Sequence, residues 1–384
     1  MNPVFQALGT TIFETMSGLA RDHGAINLGQ GLPDAPGPRE VLDAAARALV
    51  EQSNQYPPMA GLPQLRDAIA AHYRQHQGLE LARDNVIVTS GATEALAAAI
   101  LAVVSPGDEV LVFEPCYDAY RPLVERAGGV VVAVPLAPPD WAFSRSAIEA
   151  AITPRTRALI LNDPLNPTGS VASPVDLRML AELCVAHDLI AVCDEVWEQM
   201  RFDGQPHRSL LAEPGMATRT IKIGSAGKIF SLTGWKVGWL CLGAELAGPV
   251  ARAHQFLTFT TPPNLQWAVA EGLTHPPQWF DRQRAAYAAS RQRLEHGLAD
   301  AGYALVPGAA TWFVLIDLAA SGVALDDVTF CDRLVREAGV AAIPVSAFCS
   351  TPPPQQLVRL CFTKGDAVLD EALRRLAAFR ALLA

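Results

Sequence analysis

Thr220-Ile221-Lys222-Ile223-Gly224-Ser225-Ala226-Gly227-Lys228 runs from a short strand pattern into small residues gathered around one lysine, and Gly234-Trp235-Lys236-Val237-Gly238 follows soon after. A short, largely apolar run bounded by glycines has the pattern of a buried strand. Moving outward, the same kind of run recurs at Val86–Thr89, Val110–Phe113, Val130–Val134, Ala158–Leu161, Ile190–Cys193 and Val237–Leu242. Between these runs lie helical patterns at Glu94–Val104, Asp118–Ala127, Val175–His187 and Glu245–Gln255, several opened by Ser, Pro or Asp. Strand and helix in alternation from about Arg39 to Ala253 predict an α/β fold, a mainly parallel seven-stranded sheet flanked by helices.

After Pro262 the pattern changes. A long helix is predicted over Pro277–Ala301, then short strands at Thr311–Ile316 and Leu357–Phe362 and closing helices at Leu325–Ala338 and Ala367–Leu383, which together read as a smaller α+β domain. The first forty residues carry Gly29-Gln30-Gly31 and a Pro/Gly-rich run to Pro38, too irregular for the large sheet and suited to an arm or lid that returns to the small domain. The expected division is an arm over 1–38, a large domain over 39–275 and a small domain over 276–384.

Half of the 384 residues are hydrophobic, enough for a large core and more than one domain of ordinary size. The formal charge of −9 is spread along the chain with no acidic or basic run, which argues against a nucleic-acid partner. No apolar stretch reaches the roughly 18 residues a spanning helix needs, and Met1–Leu8 lacks the regions of a signal peptide, so a cytoplasmic protein with no membrane partner is expected. The seven cysteines are scattered, without a Cys-x-x-Cys pair or histidines at metal-ligand spacing. No metal site is therefore expected; Cys184, Cys193, Cys241 and Cys361 read as core.

Lys228, among small residues beyond a strand, can be desolvated, and a lysine of lowered pKa can form an imine with an aldehyde and later carry a proton. A surface lysine after a strand is the plainer alternative. Asp194 ends Ala191-Val192-Cys193-Asp194-Glu195, at the sheet edge where ligands of open α/β folds bind; paired with a protonated pyridine nitrogen it would keep that ring an electron sink, whereas alone it would simply cap a helix. Asn162-Asp163-Pro164-Leu165-Asn166-Pro167-Thr168-Gly169 follows another strand and offers the Asn166 amide, or only a tight turn. Thr89-Ser90-Gly91-Ala92-Thr93-Glu94 joins strand to helix, a place where free N–H groups hold a phosphate unless Ser90 merely caps. Tyr117 could stack on a flat ring or fill core. Arg359, inside Leu357-Val358-Arg359-Leu360-Cys361-Phe362, needs an anion, either a substrate carboxylate or an internal partner.

In this order and along nearly the whole chain, these segments resemble the class I aminotransferases of pyridoxal-phosphate (PLP) fold type I. Gly9-Thr10-Thr11-Ile12-Phe13, Asn27-Leu28-Gly29-Gln30-Gly31-Leu32-Pro33-Asp34, Asn54-Gln55-Tyr56, Val340-Ala341-Ala342-Ile343-Pro344 and Arg359-Leu360-Cys361-Phe362 look most like the branch of methionine aminotransferase and the glutamine transaminase/kynurenine aminotransferase group. The resemblance implies that Lys228 is the Schiff-base lysine and proton shuttle, Asp194 the pyridine-nitrogen partner, Asn166 a donor to the ring oxygen and Tyr117 the stacking ring. Gly91, Ala92, Ser225 and Lys236 would hold the phosphate, with Tyr56 reaching across from a second subunit, so a homodimer with shared sites is implied. Arg359, with Gly31 and Asn166, would bind the substrate.

Trp197 stands where the family usually has a tyrosine that bonds the ring oxygen, which implies a higher imine pKa here than in a Trp197→Tyr variant. Ser170 also departs from the lysine many relatives carry. The expected reaction moves an amino group from a neutral or aromatic amino acid to a 2-oxo acid in ping-pong fashion, since no second arginine stands out for a side-chain carboxylate. β-Elimination on cysteine S-conjugates is the nearest rival. A PLP-binding regulator would need a DNA-binding module that the sequence lacks, and a nicotinamide dehydrogenase would need a third glycine where Asp34 stands.

Overall fold

A computed structural model describes residues 1–351 and 356–383. The arm supplies β1 (Ile26–Asn27). The large sheet follows with β2 (Val86–Thr89), β3 (Glu109–Glu114), β4 (Val130–Pro135), β5 (Thr156–Asn162), β6 (Ile190–Asp194), β7 (Thr220–Ser225) and β8 (Gly238–Leu242). Its order is β2-β8-β7-β6-β5-β3-β4, with β8 antiparallel to both neighbours and every other pair parallel. The ends of β2, β3, β5, β6 and β7 and the start of β8 therefore open on one edge.

All seven predicted strands lie where expected, because strands covered on both faces read as largely apolar runs; the edge strand β4 keeps that pattern although it is only partly buried. One face is covered by helix Gly91–Val103, which packs Leu96 and Ala99 with Ile223 and Leu240. On the other, Val41, Leu65, Ile69 and Val269 pack against Val86, Val88 and Trp239. They come from helices Arg39–Glu51, Pro63–Gln77 and Pro263–Leu273, none of which carries a side-chain N-cap to announce it in the sequence. Helix Asp118–Ala127 contracts to Tyr120–Arg126, leaving Tyr117 and Asp118 in the loop.

The smaller unit joins β9 (Ala304–Val306), β10 (Phe313–Asp317), β12 (Ile343–Pro344) and β13 (Leu357–Cys361) in an antiparallel sheet ordered β12-β13-β10-β9. β11 (Val340–Ala341) takes β1 as a parallel neighbour, so the N-terminal arm does return to this unit. The arm is more regular than expected: Ile12–Asp22 is a helix, capped by the Thr11 hydroxyl, which accepts from the Glu14 N–H at 3.2 Å. Among the described residues no helix is long and apolar enough to cross a membrane.

Candidate active site

At the shared edge of the large sheet lies a cavity of about 270 Å³. Gly91, Ala92, Tyr117, Asn166, Asp194, Trp197, Ser225, Lys228 and Lys236 all line it, although they come from six separate loops and strand ends. Gly31, Tyr56 and Arg359 do not. Arg359 is one hydrogen bond away, through Asn166; Tyr56 is 84% exposed on the surface, edge-on to Phe259.

Lys228 occupies the short turn after β7, with its ammonium 4.7 Å from the Trp197 ring centre and 4.9 Å from that of Trp312. Burial lowers its pKa to about 8; Asp194 pulls the other way, and Arg359 and Lys236 add to the depression. Asp194 is buried, and that burial raises its pKa against the Tyr120 hydroxyl, the Val196 N–H and Lys228. Tyr120 donates to Asp194 Oδ2 at 2.7 Å. Burial likewise pushes Tyr117 up to about 12.

One end of the cavity suits an anion. Ser90 does not cap helix Gly91–Val103 with its side chain; its own N–H instead binds Glu94 Oε2 at 3.0 Å, so the helix N-terminus is left to other partners. Gly91 has φ +80°, and a Cβ there would lie 3.2 Å from Lys236 Nζ. A Cβ on Gly238 would fall 2.8 Å from the Ala92 nitrogen, so glycine is what lets β8 approach the cradle. An anionic group held by Gly91, Ala92, Ser225 and Lys236, an aldehyde at Lys228 and a ring nitrogen at Asp194 fit PLP from end to end.

Arg359 is almost fully buried in β13, and no carboxylate pairs with it among the described residues. Its Nη1 donates to Asn166 Oδ1 at 2.8 Å, Nη2 to the Gly29 carbonyl at 2.6 Å, and Nε has no partner. Phe313 lies 3.8 Å from the guanidinium, with Phe348 at 5.1 Å and Phe13 at 5.2 Å. Burial lowers its pKa to about 9. The internal ion pair considered from sequence does not form among the described residues; Asp118 acts on Arg359 only from beyond ion-pair distance. Gly31 lies against the Phe313 ring, which a Cβ there would meet at 2.9 Å.

Three contributors escape sequence reasoning. Tyr120 had a local signal, standing three residues after Tyr117 and edge-on to its ring. Trp312, over Lys228, is far away in sequence and gave none. The third is a buried cluster on the other side of the strand ends. Lys222 is bonded to Glu195 Oε2 and, at 2.7 Å, to Glu198 Oε2; His207 Nε2 and the Ser209 hydroxyl each reach Glu195 at 2.7 Å. Glu195, Glu198 and His207 come close enough to suggest a metal site, but the Lys222 ammonium already supplies the cation.

Fold and site together define a PLP-dependent enzyme of fold type I. The match to the family "Aminotransferase class I and II" spans residues 23–376, and the chain belongs to that family; it is a PLP-dependent transferase. It is 46% identical, over 96% of each chain, to the probable N-succinyldiaminopimelate aminotransferase DapC of Mycobacterium tuberculosis. It is 40% identical to the methionine aminotransferase of Escherichia coli, again over 96% of each chain. A solved N-succinyldiaminopimelate aminotransferase from M. tuberculosis superposes with a TM-score of 0.94, covering 98% of this chain and 99% of the other.

Proposed function

We propose that the enzyme transfers the α-amino group of a neutral or aromatic L-amino acid to a 2-oxo acid, with Lys228 as the cofactor-bearing lysine and proton carrier. The observation that carries this reading is Arg359, a buried guanidinium without an acid. A substrate α-carboxylate is the anion it lacks, and the fork of Arg359 suits such a group bidentately. Phe13, Phe313 and Phe348 offer an apolar surface beside it. The cavity lining itself has no cation beyond Lys228 and Lys236 for a second carboxylate, which favours uncharged side chains.

PLP, when bound, supplies the electron sink that weakens the substrate Cα–H bond. Asp194 would hold a proton on the pyridine nitrogen, and the Tyr120 hydroxyl fixes the orientation of that carboxylate. Asn166 accepts from Arg359 through Oδ1, which leaves its Nδ2 donor free for the ring oxygen. Tyr117 would cover the ring, and Gly91, Ala92, Ser225 and Lys236 would hold the phosphate. Lys228, whose pKa burial lowers to about 8, would take the proton from substrate Cα and carry it within the site.

We further place the domain boundaries at residues 38/39 and 275/276 and infer a homodimer in which Tyr56 reaches the partner's phosphate site. The exposure of Tyr56, edge-on to Phe259, supports this. Initial rates with methionine, phenylalanine, glutamine, kynurenine, aspartate and N-succinyldiaminopimelate against a fixed 2-oxo acid test the substrate class. The proposal expects kcat/KM to favour the first four; a preference for either of the last two overturns it.

A further inference from the structure

The substrate clamp and the stacking ring sit on different units of the fold, yet one short segment joins them. Residues 345–350 carry Phe348, which packs on Arg359 and edge-on to Phe13, with ring centres 5.7 Å apart. At its start the segment is tied within the smaller unit: the Ser346 N–H and hydroxyl donate to Asp327 at 2.8 and 2.9 Å. At its end it is tied to the large sheet. Ser350 donates to Glu114 Oε2 through its N–H at 2.9 Å and its hydroxyl at 3.0 Å, and the Phe348 carbonyl accepts from the Cys116 N–H at 2.8 Å.

Glu114 is the last residue of β3, three positions before Tyr117, and is nearly buried. Its other side-chain partner is Arg121, at 3.3 Å from Oε1, and Arg121 is shared with Glu125. A buried carboxylate must find donors, and two of the three that Glu114 has come from Ser350 on the smaller unit. When this segment is withdrawn, the carboxylate loses both.

We propose that Glu114 is a positioning residue for the amino-acid substrate: it draws residues 345–350 onto the end of β3, so that Phe348 backs Arg359 and is held in register with the loop of Tyr117. Glu114 is not among the residues that line the cavity. Its contribution is to favour the arrangement in which the carboxylate clamp and the ring face each other, and substrate binding between them must favour the same arrangement. The inference rests on Arg359 as the carboxylate site, as proposed above.

The test uses the holoenzyme and its Glu114→Gln and Ser350→Ala variants, with L-methionine as donor and the unreactive acid 3-methylthiopropanoate as a binding probe. Glu114→Gln is expected to raise the methionine KM and weaken the probe about tenfold, the scale of a lost charge-assisted bond, with kcat and PLP affinity near wild type. Ser350→Ala moves both in the same direction by less, and the double variant resembles Glu114→Gln because the two side chains share one bond. A lowered melting temperature with KM and probe affinity unmoved would overturn the proposal, as would additive effects in the double variant. Failure of wild type to bind the probe, with Arg359→Lys indistinguishable from it, would instead count against the carboxylate site itself.

Discussion

Asp194 and Glu195 are neighbours in sequence, and Lys222 and Lys228 lie on one strand and the turn it leads into, yet the two acid–lysine sets have opposite electrostatics. Glu195 is buried, which alone would raise its pKa, but Lys222 and His207 outweigh that and bring it down to about 2. Lys222 is raised in turn, because Glu195 and Glu198 overcome its own burial. Asp194 and Lys228 are shifted the other way, up and down, with burial dominant in both. One set has met its counter-charges within the fold. The other lines a cavity, and with Arg359 its shifts mark the charges a ligand brings. The comparison teaches that burial of a charged group does not distinguish scaffold from site; the partner list does.

The largest effect expected on the unsatisfied side is from Lys228→Ala, which should lower the transamination rate on the order of 10⁴-fold, the upper end for a positioned acid–base group, with the melting temperature preserved or raised. Single-turnover absorbance and thermal melting read the two together. On the satisfied side, Lys222→Met should cost roughly 3–5 kcal/mol of stability by taking from two buried carboxylates the ammonium they share. The pH dependence sharpens this. With its folded pKa near 2 against an ordinary 4.5, Glu195 contributes stability that is complete above the ordinary value and lost as pH falls towards 2. Denaturant melts should therefore show the deficit of Lys222→Met shrinking in acid.

Arg359→Lys keeps the charge but loses the fork, and should reduce kcat/KM about 10- to 100-fold, the loss falling mainly on KM. Capture of PLP by the apoprotein should accelerate as pH rises through about 8, where the neutral amine of Lys228 appears, and the midpoint should move lower still in Asp194→Asn. The smallest effect is spectral. Trp197→Tyr restores a hydroxyl near the ring oxygen and should shift the pH titration of the visible absorption band downward; superimposable titrations would remove that reading.

The strands were legible because each is a largely apolar run, and the loops beyond them because glycine, proline, asparagine and aspartate stand at strand ends where a ligand edge must form. Lys228, Asp194, Asn166 and the Gly91-Ala92 turn all announce themselves locally, and the structure brings them to one cavity. What stayed hidden is long-range. The Gly29 carbonyl reaches Arg359 across 330 residues, and Tyr120 reaches Asp194 across 74. Trp312 over Lys228 belongs to the same kind. Helices Arg39–Glu51 and Pro63–Gln77 were not singled out: neither has a side-chain N-cap, the buried face of the first is mostly alanine, and that of the second includes His72. The Lys222 cluster was missed for a different reason: a lysine inside an apolar strand looks like an edge position until its two carboxylates are seen.

The central claim is that Lys228 and its unpaired surroundings perform amino-group transfer, and an absorption spectrum of the purified protein tests it most directly. The account predicts a visible band that is lost on adding L-methionine and restored by a 2-oxo acid, with neither change in Lys228→Ala. A protein that acquires no visible band even with added PLP, or a Lys228→Ala variant that cycles like wild type, would contradict it.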